Sequence, residues 1–236
     1  MKTLANQATS VFAVASAMLL STSPVIANGG PPNYLPQSAP FGTTLSEWTA
    51  DWWQSVLSLP LNVNPLADET GSSCMLGQRG AVWFLAGNFG GTAAPSTRSC
   101  SIPENVMLFF PVLNVVDINT TTQTANELRA ETAPCLDAAT ELVVEVDHQP
   151  IAGLYDKFRV RSTVFEVTMP DDNLFGIPAG TYSPAIDDGF YVMLKPLAVG
   201  DHLIHIVGAS AGCALLPFEF STDVTYHVTI VPVTLH

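Results

Sequence analysis

Residues 44–57 read TLSEWTADWWQSVL and residues 81–87 read AVWFLAG, and the change of pattern between them decides the fold. Thr44-Leu-Ser-Glu47 is a capping box: a hydroxyl satisfies one orphan amide and a carboxylate reaches back to another. The helix it opens is expected to run to about Leu57 and to stop before Pro60. Leu45, Trp48 and Trp52 fall along one face at helical spacing, and Trp53 and Leu57 widen the stripe. That face is expected to bury against a sheet. The functional alternative is a platform of Trp48, Trp52 and Trp53 for stacking sugars.

From residue 81 onward the chain reads mostly as strands. Residues 81–86, 106–116, 141–146, 158–169, 190–194, 202–207 and 218–233 are rich in β-branched and aromatic side chains. Turn signals separate them at Pro103, Asp147-His148-Gln149-Pro150, Pro170-Asp171-Asp172-Asn173, Asp187-Asp188-Gly189 and Gly200-Asp201. Residues 122–139 break the pattern, with Asn126-Glu-Leu-Arg-Ala130 reading helical until Pro134. In the last strand Val224, Tyr226, Val228 and Ile230 share one face, while Thr225, His227 and Thr229 share the other. The expected fold is mainly β: a β-sandwich-like domain with an N-terminal amphipathic helix and a short helical insertion.

Composition bounds the rest. The chain has 236 residues, of which 12% are charged and 47% hydrophobic, which favours a packed globule over disorder. A net charge of −13 makes nucleic acid and anionic membrane poor partners. Lys2 precedes an apolar run, residues 11–20, with Val25-Ile26-Ala27 behind it. A short apolar core ending in small residues is a secretory signal, since a membrane span needs about 20 apolar residues. Residues 1–27 are therefore read as a signal peptide, 28–43 as an extended lead-in, and 44–236 as a single β-rich domain without a membrane span. The expected location is secreted or periplasmic.

Cys74, Cys100, Cys135 and Cys213 are then read as disulfides, with three pairings possible. Cys74–Cys100 is favoured because the two flank the 82–85 strand. Cys135–Cys213 follows by elimination.

The block from Trp48 onward carries a resemblance. Its residues are Trp48, Trp52 and Trp53, Asn64-Pro65, Asp68-Glu-Thr-Gly71, Cys74, Gly77-Gln78, Val82-Trp-Phe-Leu-Ala-Gly87, Cys100 and Leu108-Phe-Phe-Pro111. A second set is Asp188-Gly-Phe-Tyr191, Pro196-Leu197, Gly200-Asp-His202, Ile204-His205 and Asp223-Val-Thr-Tyr-His227. The pattern resembles an uncharacterised family of secreted bacterial proteins. The resemblance implies export and names no catalytic residue.

Three constellations could carry chemistry. Gly208-Ala-Ser210-Ala-Gly212 fits the G-x-S-x-G of serine hydrolases, whose serine sits on a strand–turn–helix elbow. Pro217 leaves no room for the helix. If the 208–217 loop closes a hairpin in the expected register, His202 faces Asp223, far from Ser210 along the strands. A cross-strand His202–Asp223 pair is the expected outcome. His205 and His227 are metal candidates that would need another register. Asn62, Asn64, Asp68 and Glu69 share one loop whose oxygens could hold calcium, although Asx-turn chemistry explains the same residues. No other cofactor is called for. The chain reads as a secreted, disulfide-stapled binding or structural module, with polysaccharide or another envelope component as its ligand. The competing class is a secreted hydrolase, working through Ser210 or through two facing carboxylates.

Overall fold

The computed structural model describes residues 33–34, 39–78, 80–89 and 94–233. The expected signal peptide, 1–27, and most of the lead-in, 28–43, lie outside the described residues. The elements run β1 (Asn33–Tyr34), α1 (Leu45–Leu57), β2 (Val82–Phe84), β3 (Ser96–Pro103), β4 (Met107–Ile118), α2 (Ala125–Asp137), β5 (Ala139–Val146), β6 (Gln149–Pro150), α3 (Leu154–Lys157), β7 (Arg159–Arg161), β8 (Phe165–Met169), β9 (Gly180–Leu194), β10 (Gly200–Ser210) and β11 (Phe220–Val231).

Helix α1 forms where the capping box places it. The Thr44 hydroxyl accepts from the Glu47 amide at 3.3 Å, and the Glu47 carboxylate accepts from the Thr44 amide at 2.7 Å. Its buried face, Leu45, Trp52, Trp53, Val56 and Leu57, packs on one side of the first sheet with Phe109, Val167, Tyr191 and Met193. Truncating an indole buried this way costs about 3–5 kcal/mol.

That first sheet runs β1-β9-β4-β2, with β7 and β8 also paired to β9. The second runs β3-β11-β10-β5-β6. The other face of the first sheet, with Leu108, Phe110, Val192 and Leu194, meets Ile204, Ile206, Val224, Tyr226, Val228 and Ile230 of the second. The molecule is thus mainly β, a two-sheet sandwich with one helix on its outer face. Gly208 sits where the sheets come closest. A Cβ there would stand 2.1 Å from the Val112 carbonyl oxygen, and Val112 is the unpaired residue where the β4–β9 register shifts between Pro111 and Leu113.

The disulfides are Cys74–Cys100 and Cys135–Cys213. Cys74–Cys100 ties the loop before β2 to β3, and Cys135–Cys213 ties α2 to the β10–β11 loop.

Several expectations need correction. Asp187-Asp188-Gly189 is no turn but the middle of β9, because both carboxylates find stabilising surroundings inside. Ser96–Pro103 is a strand that β-propensity misses, since its inward side chains are Ser96, Arg98, Cys100 and Ile102. The 158–169 run divides into β7 and β8, both paired to β9. Helix α2 continues past Pro134 to Asp137, opened by a second capping box between Thr124 and Glu127. Finally, the β10–β11 register pairs His202 with Val228 and Val207 with Asp223, so His202 does not face Asp223.

Candidate functional site

The motif-bearing residues are spent on structure. Ser210 closes β10 and is 2% exposed; its hydroxyl donates to the Cys135 carbonyl at 2.7 Å and accepts from the Gly212 amide at 3.1 Å. No helix follows it. Along β11, Ser210 pairs with Phe220, Val207 with Asp223 and His202 with Val228, so Ser210, His202 and Asp223 form no triad. His202 instead bonds Asp147 at 2.7 Å and the Ala198 carbonyl at 2.8 Å. Burial alone would lower its pKa, and Asp147, the Ala198 carbonyl and the Asp201 charge more than offset that, leaving it above the usual value. His205 bonds Asp223 at 3.0 Å, while His227 is exposed. Among the described residues no three His, Cys, Asp or Glu side chains gather where a metal ion could sit.

The Asn62–Glu69 loop is Asx chemistry. Asn64 is buried, its amide donates to the Val56 carbonyl at 2.7 Å, and its oxygen accepts from the Leu66 amide at 3.0 Å. Asp68 accepts from the Thr70 amide at 2.9 Å and the Ser73 amide at 2.8 Å. Burial would raise the Asp68 pKa, but these bonds outweigh it and hold the carboxyl below its usual range. Asn62 and Glu69 are exposed.

Trp52 and Trp53 are buried and offer no sugar platform, which corrects that part of the reading. The Trp52 indole donates to the Leu85 carbonyl at 3.0 Å. Trp48 is half-buried, edge-on to Phe84 at 6.3 Å, and borders a polar concavity of about 430 Å³ with Asp51, Gln54, Ser58, Glu166 and Thr168. Burial, then the charge of Glu47, raise the Asp51 pKa.

An apolar concave site lies elsewhere. β2 pairs with β4 only as far as Phe109, with one further bond from the Leu85 amide to the Phe109 carbonyl. Past that point, residues 111–116 of β4 border a groove of about 450 Å³. Leu215, Leu216 and Phe218 of the β10–β11 loop also line it, and Cys213–Cys135 anchors that loop to α2. Phe89 and Phe175, with ring centroids 5.7 Å apart, line it as well, together with Trp53 and Leu66. Phe89 and Phe218 remain 43% and 50% exposed. The volume falls within the ~300–1,000 Å³ of small-molecule sites.

A buried polar chain underlies this groove. The Trp53 indole and the Tyr191 hydroxyl both donate to Asp187 Oδ1, at 2.7 and 2.9 Å, and Asn114 Nδ2 donates to the Tyr191 oxygen at 2.7 Å. Asp187 is fully buried, and its Oδ2 has no partner. Burial drives its pKa well above the usual carboxylate range; the bonds from Trp53 and Tyr191 oppose this, and the neighbouring Asp188 charge adds to it. Trp53 alone among the sequence candidates borders the groove. Its aromatic walls come from Gly- and Pro-rich loops, where Phe89, Phe175 and Phe218 were the available signal.

No protein-family model and no curated protein matches the chain. A solved structure titled PbICP-C in complex with falcipain-2 is similar at 11% identity over 64% of this chain and 100% of that one, with a TM-score of 0.25. A superposition that loose carries no argument.

Proposed function

We propose that the protein is an exported, disulfide-stabilised binding module that holds the apolar chain of an envelope component in the groove beside β4. The groove carries this reading: it is lined by apolar and aromatic side chains, and two phenylalanines stay exposed around it. Export is supported by the leader-like residues 1–27, by the two disulfides and by the resemblance to secreted bacterial proteins. Among the described residues no helix is long and apolar enough to cross a membrane.

The test is a titration with a fluorescent acyl-chain probe. Saturable binding is expected, weakened at least about fivefold in Phe218→Asp, which places a charge on an exposed wall residue and spares the core. Absence of saturable binding would end this reading.

A second reading keeps polysaccharide as the ligand, favoured by one observation: Trp48 borders a concavity with hydrogen-bonding side chains and the carboxylates of Asp51 and Glu166. Retention on insoluble polysaccharide that Trp48→Ala abolishes and Phe218→Asp leaves intact would select it.

A further inference from the structure

Resting on the groove reading above, we infer that the groove selects an uncharged chain whose polar end donates a hydrogen bond, and that the Asn114 Oδ1 is the acceptor that recognises it. The direction of the buried hydrogen bonds carries this. An indole can only donate, so Trp53 gives its proton to Asp187 Oδ1 at 2.7 Å. The Tyr191 hydroxyl spends its one proton on the same oxygen at 2.9 Å. The Tyr191 oxygen must then accept, and Asn114 Nδ2 supplies that bond at 2.7 Å. This fixes which way the Asn114 amide points. Its nitrogen is held on Tyr191, and its carbonyl oxygen is left without a partner among the described residues. Gly189, opposite Asn114 across the β4–β9 pair, makes the arrangement possible. A Cβ there would stand 2.6 Å from the Asn114 Cβ and 2.7 Å from the Tyr191 ring.

The other polar side chains around the groove leave Asn114 as the main acceptor. Asn88 Oδ1 accepts from the Asp223 amide at 2.9 Å, and its Nδ2 donates to Ser96 at 3.0 Å. The Thr222 hydroxyl accepts from the Asn88 amide at 2.8 Å and donates to Asn88 Oδ1 at 3.3 Å. Ser221 is half-buried at the β11 end. Among the described residues no Asp, Glu, Lys, Arg or His lines the groove. A carboxylate entering it would meet no cation, would face a carbonyl oxygen, and would approach a chain of net charge −13. A hydroxyl or an amide N–H would instead complete the chain of bonds that starts at Trp53.

The experiment compares three ligands of one chain length on the intact protein at pH 8: 1-decanol, decanoate and 1-methoxydecane. Trp53 borders the groove, so indole fluorescence reads occupancy. Decanol is expected to bind about tenfold or more tighter than decanoate, and several-fold tighter than the ether, which is neutral but has no proton to give. Asn114→Leu is expected to bring decanol and the ether level. The ligand series tests the inference in the unaltered protein even if that variant does not fold. Decanoate or the ether binding as tightly as decanol would overturn the inference while leaving the groove reading standing. Failure of all three to bind would overturn both.

Discussion

Asp187 and Asp188 follow one another along β9, and the alternation of the strand sends them to opposite faces of one sheet. Both are buried, at 0% and 2% exposed. Asp188 is paired with cations: Arg159 reaches both of its oxygens at 2.9 Å, and Arg161 adds a third bond at 3.1 Å. The hydrogen bond from Arg159 to Asp188 is the largest of the effects that raise the Arg159 pKa. Asp187 meets no cation at bonding distance; burial pushes its pKa up, and an indole and a phenol bond a single oxygen. Two consecutive acids can thus sit inside a strand because one face supplies counter-charge and the other supplies burial that disfavours charge, with two donors on one oxygen. The first solution needs long cationic side chains and a helix to brace them; Arg159 also bonds Asp137 and the Ala133 carbonyl of α2. The second needs only aromatic donors, and it leaves directional hydrogen bonds beside an apolar groove.

The contrast can be broken most severely from the charged side. Arg159→Ala strands a buried carboxylate with only Arg161 left, and is expected to lower unfolding free energy by about 3 kcal/mol. Urea denaturation reads it, and adding Asp188→Asn should restore part of the loss. A loss below about 1 kcal/mol would mean that pairing is not what permits Asp188. On the Asp187 side, Trp53→Phe removes one donor from Asp187 and keeps most of the packing, with an expected loss of about 1–2 kcal/mol by the same measurement.

Asp187→Asn sharpens the comparison through pH. The pKa of Asp187 in the folded protein is raised above its unfolded value of about 3.9. Its contribution is therefore full below about pH 4 and is lost as pH rises through the folded pKa. The wild-type protein should lose stability with rising pH in a way the Asn variant does not, while the two stay close at pH 4. Parallel stability–pH curves would show that Asp187 ionises freely. The smallest effect is expected at Asp117, which burial and then Glu131 push up to about 6. Its stabilising share is full below about pH 4 and is gone above the folded pKa. Asp117→Asn should raise stability at pH 7 by about 1 kcal/mol, discounted for the solvent that screens a half-buried group.

Where residues act through their neighbours in sequence, the fold could be read in advance. Thr44 and Glu47 are three apart, so α1 declared itself, and the clean alternation at residues 224–230 declared β11. Strand β3 did not, because Arg98 lies inside, with its guanidinium on the Ala86 carbonyl and Tyr226 hydroxyl and over the Tyr226 ring. Those partners come from β11 and the loop after β2, and no local pattern announces them. The first half of β9 was hidden by Pro184, Asp187, Asp188 and Gly189, each a poor strand former made acceptable by tertiary surroundings. The groove was illegible for a related reason. Its walls come from β4, the start of β11, Trp53 of α1 and four loops, and the one sequence signature in the vicinity, Gly208–Gly212, works in close packing and a turn. Gly208 lets the sheets approach, Ser210 bonds the end of α2, and Gly212 takes a φ of +90°.

The parallel pairing of β3 with β11 also sets an order of events. Ser96 lies beside Val224, and β11 stands between β3 and β10 in the second sheet. A chain made from its N-terminus holds β3 without its partner in the sheet until β11 has been made. Cys74 and Cys100 are 26 residues apart and can be oxidised early, whereas Cys135 and Cys213 are separated by 78 and depend on the late hairpin. Such long-range closure is slow. Closure of the second sheet is therefore expected to wait for β11, and β3 stays unpaired in it until that strand arrives.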